Sequence, residues 1–110
     1  MLVAISISPS GRPLDEADPG AEEASGGVSR VVADIVRVIR ESGLPNETNA
    51  MFTNIEGEWD EVMAVVKRAV DVAAASYPRV GLVLKADIRP GYDGQLAAKV
   101  ERVEEHLRDR

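Results

Sequence analysis

The sequence predicts an α+β fold in the order strand, helix, strand, strand, helix, strand, followed by one further helix, and three observations carry that reading. The run from Arg79 to Arg89 alternates Leu84, Ala86 and Ile88 with Lys85, Asp87 and Arg89, the period of a strand with one oily and one charged face. Two stretches, Ser29 to Ser42 and Glu58 to about Ser76, repeat apolar residues at helical spacing. Gly43, Pro45, Gly57, Pro78 and Pro90-Gly91 stand between these segments as breaks.

Each element has its own reason. Leu2 to Ser8 reads as the first strand, with Val3, Ile5 and Ile7 on one side and the smaller Leu2, Ala4, Ser6 and Ser8 set on the other. Residues 9–27 are rich in Pro, Gly, Ser, Asp and Glu and support neither strand nor amphipathic helix, so a long mobile acidic loop is expected there. In the first helix Val32, Ile35, Val36 and Ile39 form the apolar stripe, Arg30, Arg37 and Arg40 point outward, Ser29 suits a cap and Gly43 ends it. Asn46 to Glu56 then forms a short hairpin turning near Ala50 and Met51.

Glu58, Asp60 and Glu61 suit the positive end of a second helix, whose stripe is Val62, Val65, Val66, Ala69, Val70 and Ala73. After the long strand, Leu96, Val100, Val103 and Leu107 make a narrow stripe on a last helix, suited to docking on another element or subunit. The order is that of a single ferredoxin-like βαββαβ plait over residues 1–110, with an antiparallel four-stranded sheet and one additional C-terminal helix. Two helices cover only one face of such a sheet, which leaves Ser6, Ser8, Lys85 and Asp87 on an open face. Leu2, Ala4 and Val83 on that face favour burial against a subunit.

Composition narrows the function. With 45% hydrophobic residues but one Trp, two Tyr and one Phe, the core is built from Val, Ile, Leu and Ala, and aromatic platforms for stacking bases are scarce. A formal charge of −6, from 13 basic and 19 acidic residues, disfavours nucleic acid and anionic membranes and suits a neutral or cationic partner. The absence of cysteine removes thiolate chemistry and fits a cytoplasmic setting. The first residues lack the basic start and long apolar stretch of a signal peptide, and no run reaches membrane-spanning length.

Gly43-Leu44-Pro45, Asn54-Ile55-Glu56-Gly57-Glu58-Trp59-Asp60-Glu61-Val62-Met63, Val80 through Lys85-Ala86-Asp87-Ile88-Arg89, and Lys99-Val100-Glu101 together resemble the small thiamine-binding protein family. The resemblance implies a ferredoxin-like fold, dimers or tetramers packed through their sheets, and binding of thiamine or its hydroxymethylpyrimidine moiety without catalysis and with no required cofactor. Members of that family usually carry Thr-Pro-Met-Gly-Thr before the Ile-Glu-Gly segment. This chain has Asn49-Ala50-Met51-Phe52-Thr53 there, and its acidic loop is longer than the family norm.

Thiamine offers a cationic thiazolium, an aminopyrimidine with donor and acceptor edges, and a hydroxyethyl tail. Asp87 or Glu56 can accept from the exocyclic amine or offset the cation, while Asn49, Thr53, Ser6 and Ser8 complete the hydrogen bonds, and Met51 and Phe52 pack on a ring. Lys85 belongs to the same charged face. The competing structural readings are a same-face or intersubunit ion network for Lys85, Asp87 and Arg89, a helix-start partner for Glu56, hairpin core for Met51 and Phe52, and a partly buried helix position for Trp59.

Enzyme readings fare less well. His106, the sole histidine, sits near the end of the last helix, and Gly91-x-x-Gly94 lacks the fingerprint of a phosphate loop. Glu22-Glu23 and Glu104-Glu105 are most simply solvated, and no spacing argues for a metal. The sequence thus favours non-catalytic binding of thiamine or hydroxymethylpyrimidine at the open sheet face or a subunit interface. Its rivals are an oligomeric interaction module with no small ligand and a small ferredoxin-like enzyme.

Overall fold

The computed structural model describes residues 1–12, 14 and 29–108. Strand β1 (Leu2–Ser10) leads to helix α1 (Ser29–Glu41), a hairpin of β2 (Asn46–Thr48) and β3 (Thr53–Glu56), helix α2 (Trp59–Ala74), strand β4 (Arg79–Asp87) and helix α3 (Gln95–Arg108). The four strands form one antiparallel sheet in the order β2-β3-β1-β4, which is the ferredoxin-like plait with an added helix. The expected acidic loop falls mostly outside the described residues. Its first two residues, Pro9 and Ser10, extend β1 instead and pair with Val80 and Arg79. A proline is tolerated there because β3 pairs with β1 only as far as Ile5, so among the described residues β1 beyond that point is an edge on that side.

One face of the sheet holds the core. Val3 and Ile5 of β1 and Ile55 of β3 are buried with Val31, Ile35 and Ile39 of α1 and Val62, Val65, Val66, Ala69 and Ala73 of α2. In α1 the buried stripe is turned from the expected one. Val31 takes the core position, Val32 is 39% exposed and Val36 is partly covered, because α1 must face both α2 and the sheet. The change brings Val32 and Val36 over a cleft described below.

Two glycines shape the connections into the sheet. Gly43, at φ +80°, closes α1 in the left-handed region, while Leu44 N donates to Ser42 Oγ at 3.2 Å. At Gly57 a Cβ would stand 3.2 Å from Val62 Cγ2 and 3.4 Å from the Leu44 methyls, so the missing side chain lets β3 turn directly into α2. Glu58 N then donates to Glu61 Oε1 at 3.3 Å, as the acidic start predicts. Trp59, expected to be partly buried, is 54% exposed.

Helix α3 differs from the other two. None of its residues is buried, and Val100, Val103 and Leu107 all stand exposed. Val83 and Ile88 are exposed as well. Among the described residues no helix is long and apolar enough to cross a membrane.

Candidate functional site

The β2–β3 hairpin is built around Asn49. Its Oδ1 accepts from Met51 N and from Phe52 N, both at 2.9 Å, while its own N donates to the Phe52 carbonyl at 2.9 Å. Two backbone donors on one side-chain oxygen fix the carboxamide's orientation and leave its NH2 as a donor at the turn. Just below, Thr48 and Thr53 face each other across the hairpin with their hydroxyl oxygens 3.1 Å apart. One hydroxyl donates to the other, so the accepting one keeps its proton for another partner.

Between this hairpin, β1 and α1 lies a cleft of about 220 Å³. Its apolar lining comes from Ile5, Ile7, Val32, Ile35 and Val36, and its polar lining from Ser6, Thr48, Asn49 and Thr53. Ala50, Met51 and Phe52 form the remaining wall, with Met51 73% exposed at the mouth. The cleft exists because β3 stops pairing at Ile5, so among the described residues β1 continues past it without a strand neighbour on that side. Four of the sequence-derived candidates, Asn49, Met51, Phe52 and Thr53, therefore come together, but under the hairpin on the helix-covered side and not on the open sheet face, while Ser6 borders the cleft along β1 with alternation turning its side chain to the open face.

The other four do not join them. Glu56 is 6% exposed, and its carboxylate accepts from Gln95 N at 2.7 Å and Leu96 N at 3.4 Å. It caps the start of α3, about forty residues further along the chain, and not the neighbouring start of α2. An anionic acceptor at a helix N-terminus satisfies orphan donors and opposes the positive end of the dipole. Asp87 accepts from Lys99 Nζ of the same helix, so its ion partner is neither Lys85 nor Arg89. Ser8 and Lys85 remain exposed on the open face, opposite Gly81 and Ala4.

Lys99, donating to Asp87 and lying beside it, holds the Asp87 carboxyl below the usual carboxylate range. A depressed carboxyl stabilises the fold above its unfolded value, and that contribution is lost as pH falls through the lower folded value. Lys99→Met is accordingly expected to raise the Asp87 midpoint in a carbon-detected NMR titration. An unchanged midpoint would show that the pair does not persist in solution.

Sequence reasoning missed Thr48, Ile7, Val32 and Val36 as lining residues. Thr48 was reachable, since counting outward from the Ala50-Met51 turn places it opposite Thr53. The two valines were not, because the stripe alone does not fix how α1 rolls on its neighbours. Among the described residues no group of three or more His, Asp or Glu is placed to hold a metal ion.

The model of the thiamine-binding protein family matches residues 19–104. A UPF0045 protein of Mycobacterium bovis is 47% identical over 108 residues, spanning 97% of this chain and 94% of its own. Among solved structures, a domain of unknown function from Bacillus cereus superposes with a TM-score of 0.72 at 29% identity, covering 90% of this chain and 85% of that one. A Thermotoga maritima protein linked by name to thiamine biosynthesis or salvage shares the fold, with a TM-score of 0.63 at 22% identity, covering 92% of this chain and 99% of that one. With a match over most of its length and close relatives of nearly equal size, the chain belongs to the thiamine-binding protein family.

Proposed function

We propose that the hairpin cleft binds thiamine or free hydroxymethylpyrimidine through the pyrimidine ring, without turning it over. The observation that carries this is the cleft's lining, an apolar floor with a rim of two threonines and a carboxamide. At about 220 Å³ it is smaller than the roughly 300–1,000 Å³ of sites that enclose a drug-sized ligand. It suits one ring, with the rest of the molecule outside. The ring's methyl group and faces meet Ile5, Val32 and Met51, and its amine and ring nitrogens find the threonine hydroxyls and the Asn49 NH2. Among the described lining residues no acid or base stands ready to activate the hydroxyls as nucleophiles, which favours binding over catalysis.

The test is thermal unfolding with and without thiamine and hydroxymethylpyrimidine at fixed protein concentration. At a hundredfold excess over Kd, linkage gives about 2.7 kcal/mol of stabilisation, several degrees in a domain of this length. No shift with either compound would sink the proposal.

The exposed apolar residues favour a second role beside the first. Val83 and Ile88 near the open face and Val100, Val103 and Leu107 on α3 are all more than half exposed, which suits self-association into a dimer or tetramer. Sedimentation of the wild type against Val100→Asp with Val103→Asp is expected to show a drop to the smaller species. An unchanged mass would remove α3 from the interface.

A further inference from the structure

Among the described residues, none that lines the cleft carries an ionisable side chain, and on the binding reading above this has a consequence for the form of the ligand. We propose that the cleft takes its pyrimidine as the free alcohol, or as thiamine, and discriminates against the phosphate ester of that alcohol. The carbon that bears the phosphate in the ester bears the thiazolium in thiamine. Both substituents therefore leave the ring in the same direction and meet the same mouth, one as an anion and the other as a cation.

A phosphate monoester brings a charge of about −1.5 to −2 and three strong acceptors at neutral pH. It is ordinarily held by Arg, Lys, a metal or a row of free backbone N–H groups. Here the turn amides best placed for such a row, Met51 N and Phe52 N, already donate to Asn49 Oδ1. The basic residues beside the lining in sequence are Arg30 and Arg37. Both are exposed, Arg37 is paired with Asp34 at 2.9 Å, and Arg30 has bonding of its own. The chain's formal charge of −6 opposes an approaching anion and favours a cation. Phe52 and the Met51 thioether at the mouth suit a thiazolium and offer a phosphate nothing.

Calorimetric titration of the wild type with 4-amino-5-hydroxymethyl-2-methylpyrimidine, its monophosphate, thiamine and thiamine monophosphate tests this. The free alcohol is expected to bind at least tenfold more tightly than its ester. Thiamine and thiamine monophosphate are expected to agree within about threefold, since that phosphate lies beyond the thiazolium and outside the cleft. In Ala50→Arg, which adds a cation to the exposed turn, the alcohol-to-ester ratio is expected to fall by about tenfold. An ester that binds as tightly as the alcohol, or a ratio unmoved by Ala50→Arg, overturns the inference and leaves the binding site standing. An equal loss for thiamine monophosphate overturns it too, by tracing the preference to overall charge and not to the cleft. No binding by any of the four compounds sinks the binding reading itself, and this inference with it.

Discussion

Ile55→Ala is expected to destabilise the protein by about 2–5 kcal/mol, the range for truncating a fully buried isoleucine. Ile55 has no exposed surface and lies on β3, paired with Val3 of β1 on one side and Asn46 of β2 on the other. Its backbone is thus held by two neighbouring strands. The side chains around it in the core, among them Val3, Ile39 and Val62, are likewise fully buried, so the space left by the lost carbons has little means to close. Against a total of roughly 5–15 kcal/mol for a domain, the loss is a large share. It would be read as a lower urea midpoint with an unchanged slope. The same truncation at the half-exposed Val32 is expected to cost roughly 0.5 kcal/mol. Equal effects at the two positions would contradict the roll of α1 on the core.

Glu56→Ala is expected to release the start of α3. The carboxylate supplies two charge-assisted hydrogen bonds, one short and one long, and bonds of this type contribute about 1.5–3 kcal/mol each. Helix α3 buries none of its residues, and a helix of 14 residues is marginal in water when left to itself. Taking about 2–3 kcal/mol for the cap as a whole, amide exchange across the first turn of α3 is expected to quicken by roughly 30- to 150-fold. Glu56→Gln, which keeps an acceptor but not the charge, is expected to fall between. Unchanged exchange in Glu56→Ala would mean that Lys99 and Asp87 alone hold the helix.

The order of elements was legible because each signal is local. Alternation along Arg79 to Asp87, the stripe of α2 and the breaks at Gly43 and Pro78 all act within a few residues. The site was half legible for the same reason. Asn49, Met51, Phe52 and Thr53 follow one another in a single hairpin, so naming the turn named the group. Glu56 and Asp87 carry the right chemistry for a cationic ligand, yet their partners lie on α3, at Gln95, Leu96 and Lys99. No periodicity in the sequence reports a contact across forty residues. The roll of α1, which moves Val32 out of the core and over the cleft, is likewise settled by packing among three elements at once.

Strand β3 is only four residues long, and it carries Thr53 at one end and Glu56 at the other. Three residues apart on a strand, the two side chains point to opposite faces, one into the cleft and the other toward α3. A slip of one residue in the pairing of β3 with β1 would turn both at once, driving the carboxylate into the core and the hydroxyl into solvent. The Asn49 turn before the strand and the close packing at Gly57 after it act as stops against that slip. The hairpin cleft and the mooring of the last helix are therefore inherited together, and a length change between Thr53 and Gly57 cannot alter one while sparing the other.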